Sequence, residues 1–158
     1  MDVHPFRAAW QTRDLDAWSS NFAPDIVLHS PMIQAPFRGR EAATELYGVL
    51  FEALGAVEIT HESSDGDAHA FFWRAESGGG SIEGADLIRA DEQGRICEVR
   101  VLIRPLAGIA TFAAAAGPPL AAKRGPIRAR LLRLLTLPLK AIFAGVDFLA
   151  PRLTQRRS

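Results

Sequence analysis

The chain has 158 residues, of which 48% are hydrophobic and 23% charged, an ordinary globular composition that allows one domain with a substantial core. Cys97 is the only cysteine, which excludes an intrachain disulfide and suits a reducing compartment. Because the first five residues lack the basic and then apolar run of a signal peptide, we expect a cytoplasmic protein.

The net charge of zero conceals two oppositely charged parts of the chain. Residues 1–117 hold 9 Lys and Arg against 17 Asp and Glu, whereas residues 118–158 hold 9 Lys and Arg against Asp147 alone. This asymmetry predicts an acidic domain over 1–117, followed by a basic, leucine-rich helical extension over 118–158.

Apolar residues at helical spacing predict that the chain begins with two short helices. The spacing continues to Phe22 with a break near Asp14, whose side chain can cap the second helix at the backbone of Ala17. A short strand of β-branched, apolar residues is predicted over 26–29, and a third helix over about 41–54.

The second half of this domain has the alternating pattern of strands joined by glycine turns. The turn signals are Asp65-Gly66, Gly78-Gly79-Gly80 and Gln93-Gly94, and the strands that they separate cover residues 57–63, 68–76, 81–90 and 96–104. Helices followed by an antiparallel meander predict an α+β fold, with the N-terminal helices on one side of a curved antiparallel sheet.

The basic extension predicts helices of its own. Gly117-Pro118-Pro119 predicts a break in the chain, and helices are predicted over 126–137 and 138–149, each beginning with a proline, which the first turn tolerates. Two interpretations stay open. The helices fold back over the acidic domain or a partner subunit, or they make a peripheral contact with an anionic membrane surface.

Neither a membrane-spanning helix nor a nucleic-acid partner is predicted for the extension. A span over 131–150 would place Arg133, Lys140 and Asp147 in the bilayer, at a cost of about 2.5–3.5 kcal/mol each near its centre. The basic residues lack the aromatic interleaving and the recognisable module of a nucleic-acid-binding protein.

Asp86 is the most informative residue of the chain because it interrupts an apolar strand face. Strand alternation predicts that this face carries Ile82, Gly84, Asp86 and Ile88. A buried carboxyl group must be hydrogen-bonded, paired or protonated. Asp86 is therefore either a functional acid in a pocket or a structural carboxylate that pairs with Arg74 or Arg100 on the adjacent strands.

Two stretches of the sequence resemble a known family. They are Asp25-Ile26-Val27-Leu28-His29-Ser30-Pro31 through Pro36-Phe37-Arg38-Gly39-Arg40-Glu41-Ala42 to Glu45-Leu46-Tyr47, and Ala85-Asp86-Leu87-Ile88-Arg89-Ala90-Asp91-Glu92-Gln93-Gly94-Arg95-Ile96. Both resemble the SnoaL-like and ketosteroid-isomerase-like branch of the nuclear-transport-factor-2-like superfamily. The resemblance implies a cone-shaped α+β barrel with a deep apolar pocket at its open end, and it specifies the fold more closely than the reaction.

The resemblance also implies roles for individual residues. Ketosteroid isomerases use a carboxylate base, a tyrosine hydroxyl and a protonated aspartic acid, and the last of these falls on Asp86. The base falls on Ser30 and the tyrosine on Phe6. A serine hydroxyl is far too weak a base near neutral pH, and phenylalanine has no hydrogen to donate to an oxyanion. Classical ketosteroid isomerisation is therefore not expected.

His29 is the candidate for the missing base because histidine exchanges protons near neutral pH. It adjoins Ser30, although strand alternation favours the outer face of the sheet, where it could meet a partner subunit. We name Asp86 and His29 as candidate catalytic residues. The candidate ligand-binding residues, which include two aromatic side chains whose polar tips need a partner, are Ser30, Trp18, Tyr47, Trp73 and Ile88.

No metal or cofactor is predicted. His61 and His69 flank the first hairpin without a third converging ligand, and the glycines at 78–80 do not open a helix as a phosphate-binding loop would. Two hypotheses for the function stay open. One is a SnoaL-like isomerase, cyclase or hydrolase that acts through Asp86 on a small apolar, steroid- or polyketide-like ligand. The other is a non-catalytic binding or interaction domain. We expect a homodimer.

Overall fold

Helices precede and follow a sheet in the computed structural model of the chain, which describes residues 4–77 and 80–154. The α+β class predicted from the sequence is confirmed. In chain order the elements are α1 Pro5–Thr12, α2 Leu15–Ser20, β1 Phe22–His29, β2 Phe37–Arg38, α3 Arg40–Ala53, β3 Val57–Asp65, β4 Ala68–Ser77, β5 Gly80–Ala90, β6 Ile96–Arg104, α4 Leu106–Ala122 and α5 Pro126–Thr154.

Six strands form one curved sheet in the order β2-β1-β6-β5-β4-β3. Strands β3 to β6 form an antiparallel meander in which each strand pairs with the next one along the chain, as the turn signals predict. Strand β1 instead pairs parallel with β6, so the sheet is mixed rather than wholly antiparallel. Helices α1 to α4 cover one face of the sheet, its inner face, and the buried residues of these helices and strands join in one core.

Strand β1 is longer than the sequence predicts. It begins at Phe22, which pairs with Ile96 of β6 and does not continue the preceding helix. The register of this pairing shifts between Phe22 and Val27. The irregularity accommodates Pro24, which has no N–H to donate to a regular ladder.

The hairpin between β3 and β4 turns one residue later than predicted. Asp65 pairs with Ala68, so the turn is Gly66-Asp67 rather than Asp65-Gly66. Gly66 has a φ of +59°, a conformation that glycine adopts without strain at the first position of a tight hairpin turn. Of the predicted glycine connection at 78–80, Gly78 and Gly79 lie outside the described residues.

The break between α1 and α2 also holds the end of α3 in place. The carboxylate of Asp14 accepts a hydrogen bond from the backbone N–H of Ala17 at 2.9 Å, as predicted. Arg13, with a φ of 53°, ends α1 and directs its guanidinium towards the C-terminus of α3. There it donates to the carbonyl oxygens of Phe51 at 2.7 Å, Leu54 at 3.2 Å and Gly55 at 2.6 Å. A cation at this end of a helix also meets the favourable end of the helix dipole.

Aromatic rings fill the space between the inner face of the sheet and the helices. The residues of the predicted third helix that recur at helical spacing, Leu46, Tyr47, Leu50 and Phe51, are buried there, which confirms the helical interpretation of that segment. Helix α4 contributes Phe112 and Ala116 to the same core, so it covers the interior on one side. The rings that contact one another are those of Phe6, Trp10, Trp18, Phe22, Tyr47, Phe51 and Phe71.

The predicted break at Gly117-Pro118-Pro119 is wrong, because α4 continues through it to Ala122. Gly117 and Pro118 are buried, and the side chain of Leu132 in α5 approaches Gly117 so closely that a Cβ there would lie 3.0 Å from it. Packing thus outweighs the weak helix propensity of these residues. The two predicted helices after it are one continuous helix, α5, with Pro138 inside it. The division into domains at residue 117 stays a prediction.

Candidate functional site

Asp86 lies on the inner face of β5, as strand alternation predicts. Its neighbours on that face, Ile82 and Ile88, are fully buried, and the carboxyl group itself is only 3% exposed. In the sheet it stands opposite Phe71 of β4 and Val101 of β6. A carboxyl group therefore sits in the apolar core of the domain.

The described partner of Asp86 is an indole and not an arginine. Trp73 donates its Nε1–H to Oδ1 of Asp86 at 3.0 Å, and both groups are buried. The alternative pairing with a buried arginine is wrong, since Arg74 and Arg100 are exposed. Their guanidinium groups bind carboxylates on the opposite, outer face of the sheet, those of Glu83 at 2.9 Å and Glu98 at 2.8 Å.

The environment of Asp86 shifts its acidity towards neutral pH. Burial raises the pKa of the carboxyl group from its ordinary value of 3.8 to about 7, and the hydrogen bond from Trp73 opposes this rise only in part. Both protonation states are therefore populated near pH 7. In the neutral state the group is a hydrogen-bond donor in an apolar site, and in the charged state it is a base.

Tyr47 of α3 adds an unpaired donor to the same core. Its hydroxyl is buried and has no hydrogen-bond partner among the described residues. Burial raises the pKa of Tyr47 well above its ordinary value of 10.0, and the nearby charge of Asp86 raises it further. Two more buried donors without a described partner, the indole N–H groups of Trp10 and Trp18, belong to rings centred 6.5 Å and 5.4 Å from that of Tyr47.

These aromatic residues place three hydrogen-bond donors without described partners in an otherwise apolar core. Unpaired buried donors are costly, so each invites an explanation such as a bound ligand. Trp18, Tyr47, Trp73 and Ile88, four of the predicted ligand-binding residues, share the interior with Asp86. The indole of Trp10 was not predicted, although its polar tip needs a partner for the same reason as that of Trp18.

The structure does not bring His29 to Asp86. In the parallel pairing of β1 with β6, Leu28 faces Val99 in the core, and His29 faces Arg100 on the outer face. Nε2 of His29 lies 3.3 Å from the carboxylate of Glu98 on that face. The expected role of His29 as the base for Asp86 is therefore corrected, because neighbouring residues of a strand point to opposite faces.

Ser30 and Phe6 occupy the positions where the resemblance implies a base and a tyrosine. Ser30 is half-buried just beyond β1, and its hydroxyl accepts a hydrogen bond from the backbone N–H of Met32 at 3.2 Å. Phe6 is fully buried, with its ring 4.6 Å from that of Phe71, the residue opposite Asp86. A hydrocarbon ring thus lies where a hydroxyl would be needed, while Tyr47 supplies one from another helix.

The largest described pocket lies on the outer face of the sheet, away from Asp86. It has a volume of about 820 Å³ and spans strands β3 to β6. Trp73 is the one predicted ligand-binding residue among its lining residues. These are Thr60, His61, Glu62, Ser63, Phe72, Trp73, Arg74, Glu83, Gly84, Ala85, Leu102, Ile103 and Arg104. The described residues include no group of three or more His, Cys, Asp or Glu that could hold a metal ion.

Sequence comparison places the chain in a family. The model of the SnoaL-like domain matches residues 3–99, well over half of the chain. The protein therefore belongs to the SnoaL-like family, and its fold is that of the nuclear-transport-factor-2-like superfamily. No curated protein matches the sequence at a significant level.

Solved structures with this fold include enzymes of different reaction types. A steroid delta-isomerase from Pseudomonas aeruginosa is 26% identical, with a TM-score of 0.70 over 75% of this chain and 88% of its own. An uncharacterised protein with a cystatin-like fold from Silicibacter pomeroyi is 21% identical, with a TM-score of 0.66 over 83% of this chain and 94% of its own. An epoxide hydrolase/cyclase-like enzyme in pyran ring formation in salinomycin is 22% identical, with a TM-score of 0.54 over 63% and 84%.

Proposed function

We propose that the protein binds a small apolar molecule, through a carbonyl or similar oxygen, beside Asp86 in the interior of the sheet. The observation that carries this proposal is a buried carboxyl group with a pKa of about 7 in the same core as the buried, unpaired hydroxyl of Tyr47, whose pKa the charge of Asp86 raises. A ligand oxygen could accept hydrogen bonds from both groups. The surrounding rings would hold the apolar part of the ligand, a steroid- or polyketide-like ring system.

The proposed chemistry is stabilisation of negative charge on the ligand oxygen. Neutral Asp86 and Tyr47 would donate to an epoxide oxygen that gains charge as its C–O bond breaks, and such donors act strongly in a dry site. Water or a hydroxyl of the ligand would bond to the carbon, and the proton that it loses would replace the one that Asp86 gives to the oxygen. Epoxide hydrolysis and cyclisation onto an epoxide both develop this kind of charge, and isomerisation does so only if a further group takes the C–H proton. The names of two structural neighbours, a steroid isomerase and an epoxide hydrolase/cyclase-like enzyme, support this set of reactions.

Ligand binding at this position requires space that the aromatic rings now fill. Phe112 and Ala116 of α4 pack into the core beside the same rings. We infer that the ring side chains and Phe112 change rotamer when a ligand enters, while α4 keeps its contact with the domain. A non-catalytic binder, the second hypothesis, would use the same interior without turnover.

Binding of a 4-ene-3-ketosteroid, followed by tryptophan fluorescence, tests this proposal. We expect Asp86→Leu and Tyr47→Phe each to weaken binding about tenfold, because each removes one donor to the ketone, whereas asparagine at position 86 would keep an N–H donor. Glu83→Gln, on the same strand but on the outer face, is the matched control and should bind as the wild type does. Equal affinity of all four proteins would contradict the proposed site.

The same preparations distinguish classical isomerisation from the broader proposal. The wild type should not isomerise a 5-ene-3-ketosteroid at a measurable rate, since Ser30 and Phe6 replace the base and the tyrosine. Efficient turnover by the wild type would show that another group supplies the base. Binding without turnover of any ketone or epoxide would favour the non-catalytic hypothesis.

We also propose that the chain forms a homodimer through the outer face of the sheet. Strand register aligns Phe72, Ala85 and Leu102 in one row across β4, β5 and β6, and the first and last of these side chains are 48% and 69% exposed. A contiguous apolar row that lines the 820 Å³ groove is typical of an interaction site.

Light scattering after gel filtration tests the homodimer. We expect the mass of a dimer for the wild type and of a monomer for Leu102→Glu, because the new carboxylate would be desolvated in the interface. Ile33→Glu, which also places a charge at an exposed apolar side chain, should remain dimeric. A monomeric wild type would refute the proposal.

A further inference from the structure

Helix α5 displays most of the exposed apolar side chains of the described residues. Of sixteen large hydrophobic residues that are exposed, eleven lie on α5, although it makes up less than a fifth of the chain. Within α5, Thr136 alone is buried. The eleven are Ile127, Leu131, Leu134, Leu135, Leu137, Leu139, Ile142, Val146, Phe148, Leu149 and Leu153.

One narrow side of α5 faces the rest of the protein. Its less exposed residues recur every three or four positions, which is the spacing of one helix face, and they are Ala129, Leu132, Thr136, Lys140 and Phe143. At 100° per residue, the exposed apolar side chains cover an arc of about 200° on the other side. A helix that binds one groove or one partner helix needs a stripe of about 100°. Lipid, which surrounds a helix broadly, fits the wider arc better than a second protein surface.

The charge of α5 matches an anionic lipid surface. The helix carries Arg128, Arg130, Arg133, Lys140 and Arg152 against Asp147, a net charge of +4, whereas residues 1–117 carry a net charge of −8. Basic residues near an apolar helix face attract anionic headgroups. The acidic domain would be repelled, so the charge distribution orients α5 towards the membrane and the domain away from it.

The packing of α5 favours a position in the plane of the membrane. By length and composition α5 is the one helix of the described residues that could cross a bilayer. It follows α4 after a three-residue connection, however, and packs back on it where Leu132 meets Gly117. Helix α4 is fixed to the domain through Phe112 and Ala116. A crossing helix would have to leave α4, whereas an in-plane helix keeps this contact.

We propose that α5 docks in the plane of an anionic membrane, with its apolar side chains among the acyl chains. At 100° per residue, Arg133 lies outside the apolar arc, whereas Arg128, Arg130 and Arg152 lie within it and reach the headgroups through their long side chains. Both α4 and α5 lie beyond residues 3–99, the part that matches the SnoaL-like domain. The membrane contact is therefore an addition to the family fold. It does not depend on the ligand site proposed above.

Co-sedimentation of the full chain with phosphatidylcholine vesicles, with and without 30% phosphatidylglycerol, tests this docking. We expect strong binding only with phosphatidylglycerol. Leu134→Glu with Ile142→Glu should lower the partition coefficient at least tenfold, since both side chains point away from α4. Ile33→Glu is the matched control, because Ile33 is also an exposed apolar residue but lies outside α5. Replacing Arg128, Arg130 and Arg133 by glutamine should lower binding about fivefold per residue.

Three results would overturn the proposal. The first is that the wild type does not sediment with anionic vesicles. The second is that the double glutamate variant, with an unchanged circular dichroism spectrum, binds as the wild type does. The third is resistance of the bound protein to extraction at alkaline pH, which would indicate a spanning helix. If the double glutamate variant loses self-association in solution but still binds vesicles, the apolar side of α5 contacts a second copy of the chain. That result would likewise contradict the lipid proposal.

Discussion

Replacing Asp86 with asparagine should remove about 3 kcal/mol of pH dependence from the stability of the domain between pH 5 and pH 8. In the folded wild type the pKa of Asp86 is about 7, whereas in the unfolded chain it is near the ordinary value of 3.8. The folded state therefore binds more protons over this interval, and stability falls as the pH rises. Each pKa unit corresponds to about 1.4 kcal/mol, and about two units separate pH 5 from the folded pKa.

The ionisation of His4 changes stability with pH in the opposite direction, so its contribution must be separated from that of Asp86. Burial lowers the pKa of His4 from 6.5 to about 4, with a further contribution from nearby His69. The folded state disfavours protonation of His4, so its contribution to stability rises with pH between about 4 and 6.5. The difference between the wild type and Asp86→Asn cancels this contribution, because both proteins keep His4.

Urea unfolding at several values of pH measures the predicted difference. Asparagine keeps an oxygen that can accept the N–H of Trp73, so Asp86→Asn should be as stable as the wild type near pH 5 and more stable near pH 8. Glu58→Gln removes an exposed carboxylate on β3 and should follow the wild-type curve. Parallel curves for the wild type and Asp86→Asn would mean that Asp86 ionises as an ordinary carboxylate.

The second large effect on stability is expected from a substitution at Gly84, which lies directly against the indole of Trp73. A Cβ at this position would overlap atoms of the six-membered ring of that indole, and Gly84 is the cross-strand partner of Trp73. Gly84→Ala should therefore cost about 3 kcal/mol, because the rigid ring must move within a packed core. The movement would also break the hydrogen bond from Trp73 to Asp86.

Gly80→Ala provides the control for this prediction. Gly80 lies on the same strand with nothing within 4 Å of the position that its Cβ would take, so the substitution should change stability by less than about 0.5 kcal/mol. Urea unfolding measures both variants, and tryptophan fluorescence reports the displacement of the indole. If Gly84→Ala is as stable as Gly80→Ala, the close packing of Trp73 on the strand is not present in solution.

The burial of Asp86 was predictable, but its partner was not. Alternation along one strand identifies which side chains share a face, because the period of two is a property of the backbone. Trp73 is thirteen positions away, and both arginines that flank Asp86 on neighbouring strands were reasonable partners. Only the register of β4 against β5, together with the absence of a side chain at Gly84, brings the indole to the carboxyl group.

In the C-terminal helices, the local sequence signals were misleading, and packing decided the structure. Gly117-Pro118-Pro119 and Pro138 are local signals for breaks, and both lie inside helices. Helix α4 persists because its small residues allow close packing with α5 and with the core, where tertiary contacts outweigh propensity. The leucine and arginine content of α5 was clear from the sequence, but the breadth of its exposed apolar arc depends on which side packs on α4.

Local patterns in the chain were therefore enough to establish the α+β class, the antiparallel meander, the cap at Asp14 and the inner face of β5, because each depends on residues close in sequence. Contacts between distant segments decided the rest. They set the parallel pairing that turns His29 to the outer face, the burial of Tyr47 in the same core as Asp86, and the single helix α5. These contacts arise from the packing of side chains that are far apart in sequence, and no short-range pattern specifies such packing.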